Sequence, residues 1–213
     1  MTSRVPWTLP LVLALAACGG GDGGPTTPAA NRAPTVSVVQ NPGGAAIVGV
    51  TTLTFNAAAI DPDGDALTCT WNLGDGASRT GASAARSYAT AGTFAVNVTC
   101  TDGRGGSTAA SGTVVARTLE GAWLPLQNGV AGDRAQITQD GATLNGYADN
   151  SCCRHTFNAQ LAHPRAATFQ FRFAGCKKND TPLTGTVSAD LNRIDLTGTN
   201  CNVGQTTFAF VRQ

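Results

Sequence analysis

Two runs of alternating polarity, each with a cysteine on its apolar side, restrict this chain more than anything else in it. In the first, Cys69, Trp71 and Leu73 share one face of a strand and Thr68, Thr70 and Asn72 the other. In the second, Phe94, Val96, Val98 and Cys100 oppose Ala95, Asn97 and Thr99. Strands that are apolar on one side and wet on the other need a second sheet over the apolar side. This predicts a β-sandwich, not a parallel sheet buried on both faces. Cys69 and Cys100 both point inward in this reading, so a bridge between them across the core is expected. It closes a loop of about 31 residues, worth roughly 3–4 kcal/mol in the chain-entropy model. Gly74-Asp75-Gly76 ends the first run and Ala91-Gly92-Thr93 opens the second, with residues that accept positive φ or bond their own backbone.

Ahead of these runs, Val36 and Val38, then Val48 to Ala59 with Leu53, Phe55, Ala57 and Ala59 on one face, read as opening strands around an Asn41-Pro42-Gly43-Gly44 turn. Thr108 to Ala116 reads as the closing strand, and Arg117-Thr118-Leu119-Glu120 as a short join. Several segments follow, in order and spacing, the pattern of a PKD domain: Asn31-Arg32-Ala33-Pro34, Asp61-Pro62-Asp63-Gly64-Asp65, Trp71-Asn72-Leu73-Gly74-Asp75-Gly76, Tyr88, Gly92-Thr93-Phe94-Ala95-Val96 and Thr101-Asp102-Gly103-Arg104-Gly105-Gly106. Residues 33–116 thus resemble the immunoglobulin-like module of polycystin and of many bacterial surface and secreted proteins. Leu73 stands where that family usually has an aromatic, and the cysteine pair is an addition. The resemblance implies a sandwich that serves as a spacer, an adhesion unit or, in some cases, a binder of carbohydrate or protein. Asp61, Asp63 and Asp65 gather carboxylates as a calcium ion needs, but lack the twelve-residue calcium loop and its closing Glu. The competing reading is an Asx-type turn with solvated carboxylates.

At the amino terminus, Arg4 supplies a thin positive end, and the apolar run from Leu9 to Ala17 is too short for a permanent membrane span. It resembles a signal peptide, residues 1–17, and Leu15-Ala16-Ala17-Cys18-Gly19 resembles a bacterial lipobox, in which Cys18 is acylated and becomes the first residue. Palmitate-type acylation by more than one chain holds such a protein stably at a membrane. Gly19 in place of an Asp favours the outer membrane of the cell envelope. Residues 18–32 then form the lipidated cysteine and a Gly-, Pro- and Thr-rich tether. Net charge near +1 with 13% charged residues gives no field for nucleic acid.

Residues 117–213 change texture. Eight short alternating runs separated by turn residues predict an antiparallel meander, either a small barrel or a compact two-sheet sandwich, so the whole chain is read as all-β. This part loosely resembles small lipocalin- or avidin-like domains of envelope lipoproteins. Once Cys18 is assigned to lipid, six of the seven cysteines remain. Besides Cys69 and Cys100 these are Cys152, Cys153, Cys176 and Cys201, in an oxidising compartment. Adjacent Cys152 and Cys153 are poorly placed to pair with each other, which leaves two cross-pairings with Cys176 and Cys201. Cys152-Cys153-Arg154-His155 lacks the Cys-x-x-Cys spacing of zinc knuckles and redox motifs, so disulfides are preferred to metal, with His155 an ordinary surface or strand residue. No Gly-x-Ser-x-Gly elbow accompanies His155 or His163, although Asp149 lies near in sequence, and no carboxylate pair stands out. The expectation is a non-catalytic envelope protein without cofactor, whose carboxy-terminal domain contacts a protein or glycan. The alternative is an accessory protein of polysaccharide degradation that binds carbohydrate, with a hydrolase further behind. Trp123, Tyr147 and Arg154 are the candidate contact residues, Trp123 equally readable as a plug at one barrel end.

Overall fold

The computed structural model describes residues 28–151, 153–172, 181–200 and 204–213. The expected signal peptide and Cys18 lie outside these residues, as do Cys152, Cys176 and Cys201 and so the pairings expected among the carboxy-terminal cysteines.

The amino-terminal part is a sandwich of β1 (Thr35–Asn41), β2 (Ala46–Ile47), β3 (Thr52–Ile60), β4 (Thr68–Asn72), β5 (Ser78–Thr80), β6 (Ser83–Ser87), β7 (Gly92–Thr101) and β8 (Ser107–Arg117). One sheet has the order β1-β3-β6, the other β2-β8-β7-β4-β5. Leu53, Phe55, Trp71, Leu73, Val96, Val98 and Val114 fill the space between them, as the alternation demands. The Trp71 indole donates to Gly81 O (3.0 Å), and Tyr88 OH donates to Leu73 O (2.9 Å) while its ring stacks on Phe94. Burial pushes the Tyr88 phenol up to about 12. Gly74, at φ +82°, carries the turn after β4 so close to β7 that a Cβ there would sit 2.7 Å from Ala95 O.

Three expectations need correction. The Cys69–Cys100 disulfide forms, but not across the core: the two are register partners on neighbouring β4 and β7 of one sheet. Parity places both inward, yet parity cannot say which strands are neighbours. Between residues 76 and 91, where no strand is expected from the sequence, β5 and β6 carry the chain from one sheet to the other, β5 pairing with β4 and β6 with β3. Ser78–Thr80 is exposed throughout and so carries no alternation to read. Finally, Val48 to Thr51 is not strand; β3 begins at Thr52.

The carboxy-terminal part comprises β9 (Gly121–Gln127), β10 (Val130–Ala131), β11 (Arg134–Asp140), β12 (Thr143–Asp149), β13 (Arg154–Ala162), β14 (Ala166–Arg172), β15 (Thr181–Val187), β16 (Arg193–Asn200) and β17 (Gly204–Arg212). Each of β11 to β17 pairs antiparallel with the next, β9 pairs with β11, and β17 pairs back onto β9. The meander therefore closes into an eight-stranded barrel, with β10 a short flap on β9. The interior is packed: the rings of Phe157, Phe169 and Phe210 lie 5.2–5.9 Å apart at its centre. Gly185 lets β15 and β16 approach, since a Cβ there would fall 1.8 Å from Asp195 O.

The sandwich also supplies the floor of this barrel. In β2, Ala46 belongs to the sandwich core and the next residue, Ile47, to the barrel core, both fully buried. Leu119, in the segment expected to be a simple join, is likewise buried in the barrel core. Polar contacts surround the plug: Arg165 Nη2 donates to Gly43 O and Ala45 O (2.6 and 2.7 Å), Thr51 Oγ1 to Pro164 O (3.0 Å), and Gln139 Nε2 to Val48 O (3.1 Å). His163 accepts from Thr52 N through Nδ1 (3.2 Å) in the same contact, so its imidazole serves the joint between the two parts.

Candidate functional site

The barrel has two unlike ends. At the end toward the sandwich, Trp123 is fully buried; its Nε1 donates to Leu119 O (2.9 Å) and the Arg212 guanidinium lies 4.7 Å from its ring. Trp123 is thus a core plug, and the expectation that it contacts a partner is corrected. At the opposite end β9, β10, β12, β13 and β17 line a cavity of about 460 Å³. Its wall is made by inward-facing Pro125, Gln127, Ala148, His155 and Phe208, its rim by Asn128, Val130, Asp133 and Asn150. Val130 is 72% exposed, an apolar side chain held at the lip.

Strand parity decides which side chains face the cavity. On β13, Phe157, Ala159 and Leu161 are buried, so His155 shares their inward face and is half-buried at the mouth. Asn150 Nδ2 donates to its Nε2 (3.2 Å), and burial lowers the imidazole pKa, which favours the neutral ring. The sequence reads His155 as an ordinary surface or strand residue. The inward parity of Phe157, Ala159 and Leu161 was the signal that could have found it. Asn128 sits at positive φ (48°), and its Oδ1 accepts from Thr207 N (2.9 Å) and Thr206 Oγ1 (3.2 Å), which fixes the turn at the rim.

Tyr147 and Arg154 lie on the outer wall beside this mouth. They belong to strands, β12 ending at Asp149 and β13 beginning at Arg154. The Arg154 guanidinium stacks 3.8 Å from the Tyr147 ring centroid and also binds Asp149, Nε to Oδ1 at 2.8 Å and Nη2 to Oδ2 at 2.9 Å. Arg134 donates to the same carboxylate at 3.1 Å. The hydrogen bond from Arg154, then that from Arg134, holds the Asp149 carboxyl down at about 2. A carboxylate lowered in the fold adds stability above its ordinary value near 3.8, and that stability is lost as pH falls through about 2. Accordingly, the Arg154 Nε–H resonance is expected to titrate near pH 2. A midpoint near 4 would show that the latch does not hold in solution.

The other nominated residues are apart from this end. Asp61 Oδ1 accepts from Asp63 N and Asp65 N (2.8 and 3.1 Å), an Asx-type turn, while Arg32 pairs with Asp63 and Arg104 with Asp65. Asp61 Oδ2 and Asp65 Oδ2 are buried without a hydrogen bond, but among the described residues no three His, Cys, Asp or Glu side chains converge as metal ligands. Cys153 closes the turn after β12, its N–H donating to Asn150 Oδ1 (3.0 Å).

The family model for PKD domains matches residues 31–117, and that segment is a PKD-like immunoglobulin β-sandwich. Solved structures similar to the chain include the PKD1 domain of Vibrio anguillarum Epp, 22% identical, covering 42% of this chain and 99% of that one at a TM-score of 0.36. The PKD domain of a peptidase from a Thermoplasmatales archaeon is 19% identical, covering 42% of this chain and 100% of its own at 0.34. A structure described as belonging to carbohydrate-binding modules of the β-sandwich superfamily is 14% identical, covering 86% of this chain and 93% of its own at 0.40. No curated protein matches the chain.

Proposed function

We propose that this chain is a non-catalytic envelope lipoprotein, anchored through Cys18, in which the PKD-like sandwich carries a barrel that binds a glycan at its open mouth. The mouth carries the reading. It is of a size that suits a small ligand, and it sets apolar Pro125, Ala148 and Phe208 beside the planar polar groups of Gln127, Asn128 and His155. A sugar has the complementary make-up, C–H faces beside hydroxyls that both donate and accept. The imidazole and the carboxylate from which hydrolysis could be built are not paired with each other: His155 Nε2 accepts from Asn150, and Asp149 is held by two arginines. Ala131, exposed on the lip, offers a test. Addition of neutral mono- and disaccharides is expected to shift the NMR signals of His155 and Phe208, and Ala131→Trp, which narrows the mouth, to weaken binding by roughly tenfold or more. Saccharide-independent spectra, or a variant that binds as the parent does, would count against the reading.

A further inference from the structure

The outer wall of the barrel is more regular than its mouth. Strand register places Thr138 beside Asn145, Asn145 beside Asn158, and Asn158 beside Gln170, one outward side chain from each of β11, β12, β13 and β14. The first three are exposed and Gln170 is half-buried. Because the row crosses the strands, its members repeat at the strand spacing of about 4.8 Å. That spacing is close to the advance of one pyranose along an extended polysaccharide, so each sugar in such a chain could meet one side chain. Among the described residues nothing takes up the carboxamides of Asn145, Asn158 and Gln170, which leaves each with two N–H donors and an acceptor oxygen.

The chemistry of the row selects among partners. A protein interface needs buried apolar or aromatic anchors at its centre, and the row has none. An anionic polymer needs a positive field, and the row carries no formal charge. A neutral ligand dense in hydroxyls matches both facts. On the mouth side of the row, two residues along β12 from Asn145, Tyr147 and its stacked Arg154 add one flat platform of the kind a sugar face packs on. We propose that this wall is a docking track for an extended, neutral polysaccharide lying across β11 to β14. The inference rests on the glycan reading above but puts the polymer outside the barrel, and it adds selectivity for chain length and for absence of charge.

The test uses the full chain in detergent, run in native gels containing hydroxyethyl cellulose, galactomannan or soluble starch, and in one containing polygalacturonate. Retardation by at least one neutral polymer and not by polygalacturonate is expected. The double variant Asn145→Ala/Asn158→Ala should bind roughly tenfold more weakly or worse, while Ala131→Trp should bind as the parent does. Both asparagines are exposed, and equal melting temperatures would show that folding is intact. Three results overturn the track: no retardation by any neutral polymer, undiminished binding by the double variant, or a hexasaccharide bound no better than its monosaccharide. Loss of binding in Ala131→Trp alone would remove the track and leave the mouth reading standing. Loss of saccharide-dependent NMR shifts as well would remove both.

Discussion

Replacing Ile47 by alanine is expected to destabilise the barrel by about 2–5 kcal/mol, although Ile47 belongs to the sandwich's own chain segment. The side chain is fully buried in the barrel core with Leu119 and Trp123, while its neighbour Ala46 faces the other core. Truncation removes the transfer energy of the buried methyl groups and leaves a hole that the closed strand cylinder is poorly able to collapse into. For a protein of this size the loss corresponds to a fall in melting temperature on the order of 5–15 °C. The effect can be followed separately in each part, because Trp71 lies in the sandwich core and Trp123 in the barrel core. In a Trp71→Phe background the remaining core fluorescence reports the barrel, and Ile47→Ala should shift its transition by that amount. Val39→Ala, on a side chain 52% exposed, should leave it within about 1 °C. If the Trp123 transition does not move with Ile47→Ala, the barrel is closed by its own residues and the sandwich is only a neighbour. The same reasoning predicts that residues 117–213 alone expose an apolar floor and aggregate, so ligand binding is better assigned with point variants than with separated halves.

The parts of this architecture legible in the sequence are those written in local alternation. All eight barrel strands and the inward faces of β3, β4 and β7 follow from period-2 patterns of Val, Phe, Trp and Leu against Thr and Asn. Closure is not local: it depends on β17 finding β9, a pairing such as Phe210 with Pro125 that no single run encodes. The floor was illegible for a related reason. Ala45-Ala46-Ile47-Val48 reads as one apolar run leading into a strand, and only docking shows that two consecutive residues serve different cores. The mouth was partly legible. Tyr147 and Arg154 attract notice by residue type, yet 147 and 149 share the outward parity of β12, whereas 148 on β12 and 155 on β13 share the inward one. Type pointed to the wall and parity to the cavity, and the two readings meet only where the strands end.

Loss of the Cys69–Cys100 bridge should produce the second large effect. The two cysteines are separated by 31 residues in sequence, and closing such a loop in the unfolded chain is worth roughly 3–4 kcal/mol in the chain-entropy model. Since β4 and β7 pair directly, the bridge adds no new contact between the sheets; its benefit lies mainly in the unfolded ensemble. The native sandwich should therefore survive reduction with its packing in place, Trp71 still buried and still bonded to Gly81, while its stability falls. Reduction, or Cys69→Ala/Cys100→Ala, is expected to lower the Trp71 transition by about 10 °C, and the double alanine variant should fall somewhat further because it also deletes two buried sulfur atoms. The barrel reporter Trp123 tells whether the loss is shared. If the two cores, joined at Ala46 and Ile47, unfold as one cooperative unit, both tryptophans move together in the Cys69→Ala/Cys100→Ala variant, whose other cysteines are untouched. A melting temperature within about 2 °C of the oxidised protein would mean that the β4–β7 pairing persists in the unfolded chain and the bridge has little left to constrain.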